Sequence, residues 1–208
     1  MFIAIFLIFF YFFYMELFTY KNELREYIKT VLPQDEELKR EANERLNDNI
    51  IHSKYYKNAH TVLSYMALPD EATIFNADMR NKYIYLPKVN KEEGTMDFFL
   101  YTSEVNMETG AYKIKEPTNS VKFNSNIFNG QILVLVPGRA FTNQGKRLGR
   151  GKGFYDKYLS TLLKKYGKDY ITLMGVCYKE QILDDIPVDF YDIPMDVVFT
   201  DEELDIDI

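Results

Sequence analysis

Gln131–Tyr166 reads QILVLVPGRAFTNQGKRLGRGKGFYDKYLSTLLKKY, and its three parts decide how the rest of the chain is read. Ile132 to Val136 is an unbroken β-branched and leucine run, the pattern of a strand buried on both faces. Pro137-Gly138 ends it by removing a donor and permitting a turn. Between Lys146 and Gly153 the glycines Gly149, Gly151 and Gly153 alternate with Arg150 and Lys152, after Lys146 and Arg147. Tyr155, Leu159, Leu162, Leu163 and Tyr166 then recur at helical spacing, and Gly167 supplies a stop. A glycine-rich cationic loop therefore opens directly into a helix N-terminus.

That arrangement suits an anion. The first turn of a helix has N–H groups without intrahelical partners and carries partial positive charge. Glycines let the preceding backbone curl close to a ligand, while Arg150 and Lys152 add full charges. A solvated basic turn is the alternative, but placement after a buried strand favours a phosphate, because ligands of open α/β sheets sit at the carboxyl ends of strands. Two familiar phosphate loops do not fit. Lys152 is followed by Gly153 rather than Ser or Thr, with no glycine five residues before Gly151, and the spacing also misses the dinucleotide fingerprint.

LVPGRAFTNQGKRLGRGKGFYDKYL resembles the signature of the 5-formyltetrahydrofolate cyclo-ligases, also called 5,10-methenyltetrahydrofolate synthetases, and the likeness extends along most of the chain. It implies ATP- and Mg²⁺-dependent ring closure of 5-formyltetrahydrofolate to 5,10-methenyltetrahydrofolate, with release of ADP and phosphate. The resemblance places Lys152 and Arg150 at the transferring phosphate. Arg147, Leu148, Gly149, Gly151, Gly153, Phe154 and Tyr155 would line ATP, and the residues from Arg150 to Phe154 would also face the folate. Two positions depart from the family: Thr142 stands where an aspartate is common after Ala-Phe, and Arg139 replaces a small apolar residue after Pro-Gly. The Thr142 hydroxyl is expected to support the turn in the aspartate's place.

Composition agrees with a globular chain. With 208 residues, 47% hydrophobic and 27% charged, it can bury one sizeable core. The net charge of −6 argues against broad nucleic-acid binding, which needs a basic face. Cys177 is the only cysteine; it excludes an internal disulfide, fits a reducing, cytoplasmic setting and lies in an apolar run that suggests packing. His52 and His60 lack cysteine partners, so no zinc site is expected.

Residues Phe2 to Met15 are apolar or aromatic without interruption, too short to span a bilayer comfortably and without a signal-peptide n-region. We read 1–14 as an extension arising from an upstream start, with Met15 opening a cyclo-ligase-like domain over 15–208; a membrane anchor is the other reading. Two helices follow, broken at Pro33: one carries Leu24, Ile28, Val31 and Leu32, the next runs from about Asp35 through Leu46 and Ile50. Lys21 and Arg25 stand four apart on one helix face, where Glu23 and Glu26 also allow a merely solvated surface. The resemblance matches Lys21-Asn22-Glu23-Leu24-Arg25 to an element whose cations reach the ATP phosphates.

Thr61 to Met66 reads as a strand, Ile74 to Arg80 as a short helix, and Lys82 to Val89 and Met96 to Tyr101 as further strands. By resemblance Met66 and Glu71 line the folate pocket; an acceptor-only carboxylate suits the paired N–H donors of a pterin. Without the resemblance, Glu71 reads as a helix-start carboxylate. Glu116-Pro117 reads as a turn, Phe123 to Gly130 as a connection, Tyr170 to Val176 and Val197 to Thr200 as strands. The expected fold is α/β, a single domain with a central parallel or mixed sheet and helices on both faces.

Mg²⁺ accompanying ATP needs only one or two carboxylates. Asp156, otherwise a helix-start carboxylate, and Asp192 are assigned to it by the resemblance, with Asp189 and Asp196 as competitors. The expected partners are small molecules, no nucleic acid, and no membrane unless residues 2–14 act as an anchor; a monomer is expected. A small-molecule kinase with the same phosphate loop and an RNA-backbone-binding module are the rival functions.

Overall fold

The computed structural model describes the backbone of residues 2–74, 82–102, 104–124 and 130–202, and side chains within those ranges from residue 15 onward except at position 111. The short helix expected over Ile74 to Arg80 falls almost wholly outside the described residues.

Two helices open the chain. α1 (Phe2–Val31) is continuous through Met15, and the side chains of residues 1–14 lie outside the described set. Among the described residues no helix is long and apolar enough to cross a membrane. Pro33 separates α1 from α2 (Glu36–His52), whose first turn is capped by the Asp35 carboxylate, accepting from the N–H groups of Glu37 at 2.9 Å and Leu38 at 3.0 Å. A short α3 (Lys54–Asn58) delivers the chain to β1 (Ala59–Leu63).

The strands β2 (Tyr83–Asn90), β3 (Thr95–Tyr101), β4 (Asn106–Thr109), β5 (Lys115–Thr118) and β6 (Gln131–Pro137) follow. After them come the two-residue strands β7 (Ala140–Phe141) and β8 (Arg147–Leu148), helix α4 (Phe154–Tyr166), β9 (Ile171–Val176) and β10 (Val197–Phe199). The main sheet has the order β10-β9-β6-β1-β2-β3, all neighbours parallel except the antiparallel edge pair β2–β3. From β1 the chain first steps to β2 on one side and later to β6, β9 and β10 on the other. The winding direction therefore reverses between β1 and β6, and such a reversal opens a crevice at the carboxyl ends of the two strands.

Alternation along β6 builds both layers. Leu133 and Leu135 face Ile28, Leu46 and Ile50 of α1 and α2, while Ile132, Val134 and Val136 face Leu159 and Leu162 of α4. Helices thus cover both faces, and β6, paired on either side with β1 and β9, cannot begin a separate domain. Cys177 is fully buried in the α4-side core, where burial pushes its thiol pKa up, as a packing residue requires.

Among the described residues, two sequence expectations are corrected by more than a single residue at a strand end. β1 ends at Leu63 rather than Met66, because the chain leaves the sheet there for the crevice. Glu116 and Pro117 are not a turn: they lie in β5, opposite Glu108 and Met107 of β4. A two-stranded ribbon consists only of edges, where the donor missing from proline is tolerated.

Candidate active site

The glycine-rich loop is assembled after β6. The hairpin β7–β8 is closed by Thr142, whose N–H donates to the Lys146 carbonyl at 3.0 Å and whose hydroxyl accepts from the Lys146 N–H at 3.2 Å. Thr142 is fully buried, and its neutral hydroxyl holds the turn, as expected for this departure. From Leu148 the chain runs through Gly149, Arg150, Gly151 and Lys152 to Gly153, the N-cap of α4. Gly153 has φ +69°, a left-handed conformation that favours glycine, and a Cβ there would meet nothing within 4 Å among the described residues. Having no side chain, it leaves the first-turn N–H groups of α4 without a side-chain cap.

The expected cations divide into three kinds. Lys152 is exposed and makes no hydrogen bond or ion pair among the described residues. Arg25 of α1 reaches the loop itself, donating from Nε to the Gly149 carbonyl at 2.8 Å. Arg147 is buried: its side chain is 5% exposed, and Nη2 grips both oxygens of Asp156 at 2.7 and 2.8 Å. Its Nε is buried with no hydrogen-bond partner among the described residues, and its guanidinium lies 5.8 Å from the Tyr155 ring centre. Leu148 beside it is also buried, so these two side chains hold the loop from beneath. Phe154 sits edge-on to Tyr112 with ring centres 6.3 Å apart. Burial, and then the charge of Glu71, push the Tyr155 phenol pKa up, keeping it a neutral hydroxyl.

Across the crevice, after β1, stand Asp70 and Glu71. Glu71 is 7% exposed, accepts from the Leu68 N–H at 3.0 Å and from Arg150 Nε at 2.7 Å. Asp70 accepts from Arg150 Nη2 with one oxygen and from Arg139 Nη1 with the other. Burial acts to raise the Asp70 pKa, but the bonds and charges of Arg150 and Arg139 outweigh it and hold the carboxyl below its usual range. Burial likewise disfavours the Arg150 cation, and Glu71 with Asp70 more than compensates. Met66 is half-buried on the same segment. Sequence reading missed Asp70; its only signal was adjacency to Glu71 just beyond a buried strand. Arg139, read as a departure, has Asp70 as its counter-ion.

The acidic residues of the last loop do not form a cage. Asp192 accepts from Lys21 Nζ at 2.6 Å and from the Asp189 N–H at 2.9 Å, both on Oδ2. Asp189 also meets Lys21, at 3.3 Å. Asp156 accepts from the Ile193 N–H at 3.3 Å, which brings it beside Asp192. Asp196 is engaged elsewhere, by Lys168 and by the Leu173 N–H at 2.8 Å. Among the described residues no three His, Cys, Asp or Glu side chains gather as a metal site. The donor set fits a hard cation only as a partial shell, one or two carboxylates with water and phosphate oxygens supplying the rest.

Known proteins resemble this chain over most of its length. The model of the 5-formyltetrahydrofolate cyclo-ligase family matches residues 19–201. A Caenorhabditis elegans protein named "Probable 5-formyltetrahydrofolate cyclo-ligase" is 30% identical over 193 residues, covering 88% of this chain and 93% of its own. The mouse 5-formyltetrahydrofolate cyclo-ligase is 28% identical over 165 residues, covering 76% of this chain and 81% of its own. The structure of Aquifex aeolicus 5,10-methenyltetrahydrofolate synthetase superposes with a TM-score of 0.73 at 29% identity, covering 88% of this chain and 90% of that one.

Proposed function

The chain belongs to the 5-formyltetrahydrofolate cyclo-ligase family, and from that premise we propose how its residues share the work of an ATP-dependent cyclo-ligase that converts 5-formyltetrahydrofolate to 5,10-methenyltetrahydrofolate. The single observation that carries the assignment is the loop from Gly149 to Gly153. It ends in a side-chain-free helix cap, with Arg25 bonded to its backbone and Lys152 unengaged among the described residues.

ATP phosphates lie against the first-turn N–H groups of α4 and the backbone of this loop, with Lys152 at the γ-phosphate and Arg25 fixing the loop from α1. The formyl oxygen attacks the γ-phosphorus, the bond to the β–γ bridging oxygen breaks, and ADP leaves. The formyl carbon, now bonded to a phosphate leaving group, is attacked by the N10 lone pair; N10 loses its proton and the C–O bond breaks to release phosphate. Little of this needs a protein nucleophile. The enzyme supplies position and positive charge where negative charge develops, the parts given to Lys152 and Arg150.

The folate side falls to Glu71 and Met66. A buried carboxylate beside a neutral Tyr155 hydroxyl is suited to the paired donors of a pterin. Asp192 and Asp156 would hold Mg²⁺, which when bound neutralises phosphate charge. Arg147 serves Asp156 rather than ATP directly, and Lys21 tethers Asp192 and Asp189 to α1.

The test is a near-ultraviolet absorbance assay of purified protein with Mg-ATP and 5-formyltetrahydrofolate. Appearance of the methenyl chromophore only when both substrates are present is the expected result. ATP consumption that leaves a phosphorylated product without that chromophore would move the protein to the small-molecule kinases.

A further inference from the structure

Four charged groups meet at the reversal between β1 and β6. Arg150 lies between Glu71 on its Nε side, at 2.7 Å, and Asp70 on its Nη2 side. Asp70 in turn lies between Arg150 and Arg139. Arg139 and Glu71, the ends of the chain, are the buried members, with side chains 9% and 7% exposed; Asp70 and Arg150 in the middle are about a third exposed. Two cations and two anions balance, so the network is neutral as a unit and its accessible part is the Asp70–Arg150 link.

A guanidinium on a long side chain has several rotamers, and a single carboxylate on Nε does not fix the plane of its fork. A second carboxylate at Nη2 does, because in-plane acceptors on two nitrogens of the rigid fork fix its plane and the direction of the remaining N–H groups. Asp70 is itself held by Arg139 on β6's continuation, so the orientation of Arg150 is referred to the rigid sheet and not to its own glycine-rich loop. Burial of Arg139 requires a counter-charge, and Asp70 supplies it, which explains how a cation is accommodated where the resemblance expects a small apolar side chain.

We propose that Asp70 is a positioning residue for the reaction: braced by Arg139, it sets the direction of the Arg150 guanidinium toward the phosphate. The inference rests on the proposed role of Arg150. Asp70 touches neither substrate in this scheme and acts only through Arg150.

The experiment compares wild type, Asp70→Asn, Arg139→Leu and the double variant. Asp70→Asn leaves Arg139 buried without its carboxylate and is expected to lower the melting temperature, which by itself would say nothing about catalysis. The double variant removes one charge of each sign and is expected to recover most of that loss. Turnover separates the two roles: at saturating Mg-ATP and 5-formyltetrahydrofolate, kcat of the double variant stays at least tenfold below wild type while KM for folate changes by less than threefold. A double variant that regains both melting temperature and kcat to within twofold overturns the proposal and leaves the pair a structural one. A second readout does not depend on turnover. An Nη2 proton of Arg150, the group bonded to Asp70, followed by nitrogen-15 NMR, exchanges with water at least tenfold faster in the double variant than in wild type, while the Nε proton of Arg25 is unchanged. Unaltered protection of the Arg150 proton overturns the proposal even if the wild-type protein forms no methenyl product, an outcome that would count separately against the cyclo-ligase mechanism.

Discussion

The Arg147 guanidinium meets both carboxylate oxygens of Asp156, at 2.7 and 2.8 Å, and so ties β8 to the first turn of α4 across the glycine-rich loop. The loop is anchored on both sides by one ion pair, whose Arg147 side is almost fully buried. Replacing Arg147 by Ala strands the Asp156 carboxylate and is expected to cost about 3–5 kcal/mol of stability. Arg147→Lys keeps the charge but loses the two-point geometry and should fall between that variant and wild type. Urea denaturation of the three proteins checks the order; equal midpoints for Ala and wild type would show the pair to be energetically idle.

Lys152 is exposed and bonded to nothing among the described residues, so its removal should leave the fold unchanged. Lys152→Ala is expected to lower turnover roughly 10²–10³-fold, the usual loss for one preorganised charge at a transferring group. The readout is methenyl absorbance with a circular dichroism spectrum of the same sample as control. Activity within a few-fold of wild type would take Lys152 out of the reaction.

Acid should weaken the protein partly through Asp70. Its folded-state pKa is lowered below the ordinary 3.8, because Arg150 and Arg139 outweigh the opposing effect of burial. A depressed carboxyl contributes stability that is fully present above the unfolded value and is lost as pH falls through the folded one. The loss attributable to Asp70 therefore sets in as pH falls toward the ordinary 3.8 and completes only below the lowered folded value. Urea midpoints measured between pH 2 and 6 should fall less steeply below pH 4 in the Asp70→Asn/Arg139→Leu protein than in wild type; parallel curves would contradict the linkage.

Gly145 links the hairpin turn to the loop that carries Asp192. It has φ +84°, its carbonyl accepts from the Met195 N–H at 2.8 Å, and a Cβ would stand 2.2 Å from the Met195 carbonyl oxygen. Gly145→Ala adds left-handed strain to a backbone clash and is expected to cost about 2–5 kcal/mol. Because Met195 follows the turn of Asp189 and Asp192, the variant should also loosen their contact with Lys21 and raise KM for Mg-ATP. Thermal melting and an ATP titration test both halves; a change in stability with an unaltered KM would confine Gly145 to folding.

What the sequence determined by itself was local or periodic. The Ile132–Val136 run, the helical spacing after Gly153 and the break at Pro33 fixed strand, helix and boundary, because burial on two faces, a 3.6-residue period and a missing N–H act within a few residues. The glycine-cation alternation is likewise local, and it marks the loop for which a phosphate site is proposed. The pairings of the charged side chains were not legible. Arg147 with Asp156, Lys21 with Asp192, and above all Asp70 with Arg139 and Arg150 join residues 9, 171, 69 and 80 positions apart. Only the order of strands decides that the ends of β1 and β6 lie side by side, and a charge in the sequence carries no sign of which opposite charge the fold will bring within 3 Å. Arg139 shows the difference: alone in the sequence it is an anomaly beside Pro137-Gly138, and in the folded chain it is half of a neutral pair.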